Sequence, residues 1–188
     1  MSMKVKDLII FLTLFICFFV YYVTQNPHYG VLTGEEMTVH HLDMVYEGSP
    51  EVPRGLKIAD SPAYPIGSQA ISLADHMSGM MRGVEVTIVA AYETTAYSTT
   101  YTSTNSGMLV KDHKWIVHEE FVDVGDDRLA DSTKTLTKAE HMKGMSDAVH
   151  TIDNSLKTTV YMVDFVLPNG IMVTNHKWVV EEELAPVK

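Results

Sequence analysis

The sequence predicts an all-β fold made of two copies of one small module. Three observations support this: an internal repeat, runs of β-branched and aromatic residues, and turn signals between those runs. Residues 74–80 match 139–145, residues 94–97 match 158–161, and residues 113–117 match 176–180. The offset changes only from 65 residues at Ala74 and Ala139 to 63 at His113 and His176. Each copy is therefore one structural unit.

The strands follow from local composition. Residues 84–91 and 95–104 are rich in Val, Ile, Thr and Tyr, which favour strands. Asn-Ser-Gly at 105–107 and Pro-Asn-Gly at 168–170 are turn signals, after which the strand pattern resumes at 108–118 and 171–181. A small flat sheet leaves its edges unprotected, so we expect a small closed or rolled sheet, in the form of a barrel, from each copy. The predicted barrels span residues 60–122 and 125–188.

The N-terminus predicts a membrane anchor. Lys4 and Lys6 precede an apolar run at 8–23 that is interrupted only by Thr13. As a helix it would span roughly 24 Å, and no small-x-small cleavage site follows it. We expect residues 1–23 to be an uncleaved signal anchor that contacts the membrane through residues 8–23. The lysines would lie inside, so the folded part is predicted on the extracytoplasmic side of the cell membrane.

A proline-rich segment follows the anchor. Five of the seven prolines fall between residues 24 and 65. Such a segment has few ways to bury apolar surface and tends to stay extended. The sequence therefore predicts a flexible linker at residues 24–59.

Composition and motifs disfavour several functional classes. The formal net charge of −10 disfavours a nucleic-acid partner, which would require a basic surface. The one cysteine, Cys17, lies in the apolar run, which leaves the folded part without a disulfide or a thiolate metal site. The chain lacks the His-Glu-x-x-His, Gly-x-Ser-x-Gly and glycine-rich phosphate-loop motifs. Acidic residues at 119–120 and 181–183 are interpreted as solvated strand ends. We expect a binding protein and not an enzyme.

The element His-Met-x-Gly-Met occurs once in each copy. Imidazole and thioether groups bind copper, especially Cu(I), where thiolates are absent. Gly79 and Gly144 allow a tight turn that would bring the flanking side chains together. The alternative is a turn between strands whose methionines fill gaps in the core. The candidate ligands in these turns are His76, Met77, Met80, His141, Met142 and Met145.

The element His-Lys-Trp is also duplicated. Trp115 and Trp178 are predicted to be core residues. His113 and His176 are then either hydrogen-bonded structural histidines or ligands that face the His-Met turn. A weaker group in the linker, comprising Met37, His40, His41 and Met44, is either a mobile copper-capture segment or an ordinary polar linker. Three histidines without a counterpart in the other copy are expected at the surface: His28, His118 and His150.

Together the repeated motifs resemble the YdhK family of bacterial cell-envelope proteins. The resemblance rests on Asp-His-Met-x-Gly-Met, Thr-Thr-x-Tyr and Asn-His-Lys-Trp-Val, and it extends over residues 50–184. It implies two tandem SH3-like β-barrels and an extracellular copper-binding role in metal resistance. The N-terminus departs from the family's usual lipoprotein signal, because Cys17 lies among large apolar residues.

These observations lead to one expected function and one alternative. The expected function is copper sequestration outside the membrane, with Cu(I) the favoured state. The first copy would bind through His76, Met77, Met80 and His113, and the second through His141, Met142, Met145 and His176. The alternative is a module without a metal role that binds cell wall or peptides through Tyr92, Tyr97, Tyr101 and Tyr161.

Overall fold

The computed structural model describes residues 43–187. The predicted anchor at 1–23 and the candidate ligands Met37, His40 and His41 lie outside the described residues. Within 43–187, no helix is long and apolar enough to cross a membrane. The eight strands are β1 (Lys57–Ile58), β2 (Gln69–Ser72), β3 (Glu85–Thr102), β4 (Leu109–Val117), β5 (Lys134–Leu136), β6 (Val149–Val166), β7 (Met172–Val180) and β8 (Leu184–Pro186). The connections include short 3₁₀ turns at Met77–Gly79, His118–Glu120 and Glu181–Glu183. The all-β prediction is confirmed.

Two long strands, one from each copy, form the centre of the sheet. β3 and β6 each have 18 residues and pair antiparallel from Val86 opposite Phe165 to Tyr101 opposite His150. Thr94 lies opposite Thr158, its equivalent in the other copy. A local two-fold axis therefore passes through the middle of this ribbon, and each half of the sheet repeats the other.

The shorter strands extend the ribbon at its two ends. β4 pairs with the second half of β3, and β7 pairs with the second half of β6. β2 and β5 pair with the first halves of the same two strands. At the end of the second copy, Leu184 lies opposite Ser72 of the first, and Phe121 at the end of the first copy bridges Thr137 of the second. Each copy thus ends against the beginning of the other.

The apolar cores follow the same exchange. One cluster combines buried residues between Ala59 and Ala91 in the first copy with buried residues between Tyr161 and Leu184 in the second. Another combines buried residues between Tyr97 and Phe121 in the first copy with buried residues between Ala139 and Ile152 in the second. A third cluster lies around the axis and contains Trp115 and Trp178, which confirms their predicted place in the core. Each of the two outer clusters draws on both copies.

The expectation of two closed barrels, one per copy, is therefore wrong. Within the described residues the strands of both copies lie in one eight-stranded sheet that does not close into a barrel. The physical reason lies in β3, whose residues include no Gly, Pro or Asn that would turn the chain at its middle. The strand runs on past the first cluster and enters the second, and β6 does the same in the opposite direction.

The segment before β1 is anchored by a buried carboxylate. Asp43 is only 3% exposed. It accepts hydrogen bonds from Ser103 Oγ at 3.1 Å, from Asn105 Nδ2 at 2.7 Å and from Ser106 Oγ at 2.8 Å. These donors belong to the loop between β3 and β4, so the carboxylate fastens this segment to the end of that hairpin.

Further contacts continue along the same segment. Met44 forms a β-bridge with Met142, and Glu47 forms one with Thr174. The backbone N–H of Thr174 donates to Tyr46 O at 2.9 Å, and its carbonyl accepts from the N–H of Gly48 at 2.9 Å. The part of the predicted linker from residue 43 to 48 is therefore held against the sheet.

Because the outer cores combine both copies, neither copy is expected to fold alone. We expect fragments 60–122 and 125–188 to be unfolded separately, since each would expose half of two cores. An equimolar mixture should regain β structure. Circular dichroism of each fragment and of the mixture, with the intact chain as reference, measures this. A dispersed NMR spectrum from either fragment alone would contradict the exchanged architecture.

Gly144 should tolerate a side chain less well than Gly79. Both have positive φ, 74° and 80°, so an alanine at either position is strained by about 1–3 kcal/mol. At Gly144 the added Cβ would also lie 2.3 Å from Ser103 Oγ and 2.5 Å from Asn105 N. At Gly79 the nearest atom is Asp75 Oδ1 at 3.2 Å, on a side chain that can move. Urea unfolding followed by tryptophan fluorescence should show the larger loss for Gly144→Ala, and equal losses would refute the close packing.

Candidate metal centre

Four histidines of the duplicated motifs form two pairs. His76 and His176 have ring centroids 5.8 Å apart, and His113 and His141 have centroids 6.3 Å apart. His113 lies in β4 and His176 in β7, whereas His76 and His141 lie in the turns. Each pair thus joins the turn histidine of one copy to the strand histidine of the other. The sequence motifs predict a different grouping, in which each strand histidine lies beside the turn of its own copy.

The turns and strands position these rings through local backbone geometry. In the first copy, Met77, Ser78 and Gly79 all have positive φ, between 52° and 80°. Such a left-handed run reverses the chain within a few residues directly after His76. On the strand side, Thr99 lies opposite His113 in the β3–β4 pair. The imidazoles consequently approach each other from a turn and from a strand.

A buried carboxylate supports the turn histidine of the second copy. Glu120 is 7% exposed and lies in the 3₁₀ turn after β4. Its Oε1 lies 2.7 Å from His141 Nε2. Its Oε2 accepts the indole N–H of Trp178 at 3.1 Å and the backbone N–H of Val117 at 3.0 Å. Glu120 belongs to the first copy, so it reaches across to a histidine and a tryptophan of the second.

Glu183 is the equivalent residue at the end of the second copy. Its Oε1 lies 3.3 Å from His76 Nε2. Its Oε2 accepts the indole N–H of Trp115 at 2.9 Å and the backbone N–H of Val180 at 3.2 Å. The two carboxylates therefore repeat one arrangement about the local two-fold axis.

These contacts keep both carboxyl groups ionised. Burial by itself would raise the pKa of Glu120, but the charge and N–H of His141 and the N–H donors of Val117 and Trp178 outweigh it and lower the pKa. Glu183 behaves in the same way: burial raises its pKa, and His76, Trp115 and Val180 together bring it below its usual value. Each turn histidine consequently has an ionised acceptor beside its Nε2.

The strand histidines are held neutral. Burial lowers the pKa of His113 well below its usual value, and the neighbouring imidazoles lower it further. Burial likewise lowers the pKa of His176 to about 3, with contributions from His76 and His141. A neutral imidazole is the form that binds a metal ion.

The four rings carry the unpaired polar atoms of the described interior. Among residues 43–187, the buried side-chain nitrogens and oxygens without a hydrogen-bond partner are Nδ1 and Nε2 of His76, Nε2 of His113, Nδ1 of His141 and Nε2 of His176. A buried polar atom left without a partner costs about 1–3 kcal/mol. Unpaired nitrogens on neighbouring imidazoles are suited to a shared ligand.

The methionines of the turns divide into two groups. Met145 is fully buried in an apolar core cluster, and Met77 and Met80 pack against another, as in the core-filling alternative. Met142 instead pairs with Met44 and lies 4.0 Å from the Tyr101 hydroxyl. Met142 also lines an open cleft.

That cavity is a cleft of about 860 Å³ between the segment 45–54 and the second copy. His141, His176, Met142 and Glu120 all line it. The cleft gives two of the four histidines a route to solvent. In the part of the chain that the structure describes, no group of three or more His, Cys, Asp or Glu side chains is arranged to hold a metal ion. The available donors are therefore pairs of imidazoles.

Several residues were misassigned from the sequence. Glu120 and Glu183 were interpreted as solvated strand ends, but they are the acceptors of the site. Their signal was the last position of the acidic run that ends each copy. His150 was expected at the surface, yet it is fully buried, with Nδ1 3.0 Å from Thr99 Oγ1 and Nε2 3.1 Å from Met145 O.

The predicted aromatic surface of the alternative function is also absent. Tyr97 and Tyr161 are fully buried and Tyr101 is 2% exposed, all within core clusters. Tyr92 packs its ring against Trp178, with centroids 5.8 Å apart. These four tyrosines do not form an exposed binding face.

The fold and site define a class: an all-β tandem-repeat protein with paired buried histidines shared between its copies. A family model described as "Protein of unknown function (DUF1541)" matches residues 66–118 and 132–181. The chain is 47% identical over 146 residues to the uncharacterised protein YdhK of Bacillus subtilis (strain 168), covering 77% of this chain and 71% of that protein. The chain therefore belongs to the DUF1541 family, which includes YdhK, and the resemblance drawn from the motifs is confirmed.

Solved structures of the Bacillus subtilis relative have the same architecture. One crystal structure of YdhK is 45% identical, covers 81% of this chain and 99% of its own, and has a TM-score of 0.71. A solution NMR structure of the YdhK C-terminal domain is 48% identical, covers 65% of this chain and 92% of its own, and has a TM-score of 0.60.

Proposed function

We propose that this protein binds copper as Cu(I) on the outside of the cell membrane, lowers its uptake by sequestration and so contributes to metal resistance. It would act as a binding protein without catalysis, tethered by its N-terminal segment. The observation that carries the proposal is the set of unpaired, buried imidazole nitrogens on the two facing histidine pairs.

The spacing of each pair is compatible with one shared ion. Imidazole nitrogens bind metals at about 2.0–2.1 Å, so two imidazoles on one ion have ring centroids roughly 6 Å apart. The two centroid distances, 5.8 and 6.3 Å, are near this value. The strand histidines are neutral because burial lowers their pKa, so no proton competes with a metal there at neutral pH.

Donor type and number favour copper over zinc. Zn²⁺ in proteins is almost always bound by four groups. Cu(I) is a soft ion that accepts imidazole and thioether donors and low coordination numbers. Two imidazoles, with the Met142 thioether beside one pair, match Cu(I) better than Zn²⁺.

The proposal predicts about two Cu(I) ions per chain, one for each pair. Full-length protein in detergent is titrated with Cu(I) against a competing chelator. His113→Gln and His176→Gln should each remove one equivalent, and the double variant should weaken binding at least about 100-fold, since losing a ligand exceeds the effect of an outer group. Zn²⁺ should bind much more weakly than Cu(I).

His118→Gln is the matched control for this titration. The ring nitrogens of His118 contact the Tyr97 hydroxyl and Gly125 O, outside both pairs. This variant should bind copper as the unaltered chain does. If the intact chain does not take Cu(I) from the chelator, the proposed function is wrong. Equal binding by the double variant would exclude the histidine pairs as the site.

A further inference from the structure

One buried and one partly buried carboxylate, Glu120 and Glu183, lie beside the turn histidines. Glu120 Oε1 is 2.7 Å from His141 Nε2, and an ionised carboxylate can only accept a hydrogen bond. In a neutral His141 ring the proton is then on Nε2, which leaves Nδ1 with a lone pair and no partner. At the turn of the first copy, Glu183 Oε1 lies 3.3 Å from His76 Nε2, but that nitrogen makes no hydrogen bond.

The strand histidine of each pair also has one ring nitrogen without a hydrogen-bond partner. The unpaired buried atom is Nε2 in both His113 and His176. The His113–His141 pair therefore combines a turn histidine with an unpaired Nδ1 and a strand histidine with an unpaired Nε2. In the His76–His176 pair both nitrogens of the turn histidine are unpaired, and Glu183 lies beside its Nε2.

We infer that Glu120 and Glu183 are positioning residues that fix the tautomer of the opposite copy's turn histidine, so that each ion is bound by one Nδ1 and one Nε2. This inference rests on the proposed function and adds the assignment of the ligand atoms. A carboxylate on the far nitrogen of a ligating histidine orients the ring and makes it a stronger donor. Each site would then require both copies: the strand histidine and carboxylate from one, and the turn histidine from the other.

A single conservative change tests the role of the carboxylate. In Glu120→Gln the Oε2 position still faces two N–H donors, from Trp178 and Val117. The amide oxygen should therefore occupy that position and place the NH₂ group against His141 Nε2. The imidazole must then accept at Nε2, which moves its proton to Nδ1 and blocks the ligand atom. The hydrogen bonds of the core remain satisfied, so we expect this variant to fold.

The readout is long-range ¹H–¹⁵N NMR of the imidazole rings in full-length protein in detergent micelles. Without copper, His76 and His141 should carry the proton on Nε2. On Cu(I) loading, the nitrogen whose shift changes should be Nδ1 in His76 and His141 and Nε2 in His113 and His176. Glu120→Gln should move the His141 proton to Nδ1 and weaken Cu(I) binding at that pair by about 10–100-fold. The His76–His176 pair should be unaffected.

Matched variants separate this role from a general charge effect. Glu183→Gln should produce the same change at the other pair. Glu140→Gln removes a charge next to His141 from an exposed residue and should change neither tautomer nor affinity. Copper bound through Nε2 of His141, or an unchanged tautomer and affinity in Glu120→Gln, would overturn this inference alone. No copper-dependent shift at any of the four histidines would overturn the proposed function as well.

Discussion

The antiparallel pairing of β3 with β6 is the interaction on which the rest of the structure depends. It joins the two copies from Val86 opposite Phe165 to Tyr101 opposite His150 and places Thr94 opposite its equivalent, Thr158. With that register set, the first half of each copy must lie beside the second half of the other. The mixed core clusters, the strand exchange at the chain ends and the crossed histidine pairs all follow from this one arrangement.

The crossed arrangement also explains how two carboxylates are tolerated in the interior. An ionised carboxylate away from water is costly unless hydrogen-bond donors surround it. Glu120 and Glu183 each lie beside an indole N–H, a backbone N–H and an imidazole. For each carboxylate the backbone N–H belongs to its own copy, whereas the indole and the imidazole belong to the opposite copy. Because one copy alone lacks these donors, the polar network couples the folding of the two copies.

The carboxylates have hydrogen-bond donors, whereas several ring nitrogens of the neighbouring histidines have no hydrogen-bond partner. Native interiors satisfy nearly all buried polar atoms, and exceptions need an explanation. Here the unpaired atoms of the described residues are confined to four histidines that face each other in two pairs. Under the proposed function, a bound ion would be the partner of these atoms.

The sequence by itself determined that the fold is all-β and that its main motifs are duplicated. Local composition decided the strands, because β-branched and aromatic side chains prefer a pleated surface and turns require Gly, Asn or Pro. The duplication singled out His76, His113, His141 and His176, since a copied motif is visible without any structure. Family membership was likewise evident from the motifs.

Only the tertiary structure decided which of these residues meet. Whether β3 turns back to close its own barrel or continues into the other copy depends on pairing between strands about 60 residues apart, and local preferences are the same in both cases. The grouping of each strand histidine with its own turn was therefore a natural expectation, and the structure shows the exchanged pairs. Glu120 and Glu183 were missed for a related reason: an acidic strand end is ordinarily solvated, and their donors come largely from the opposite copy.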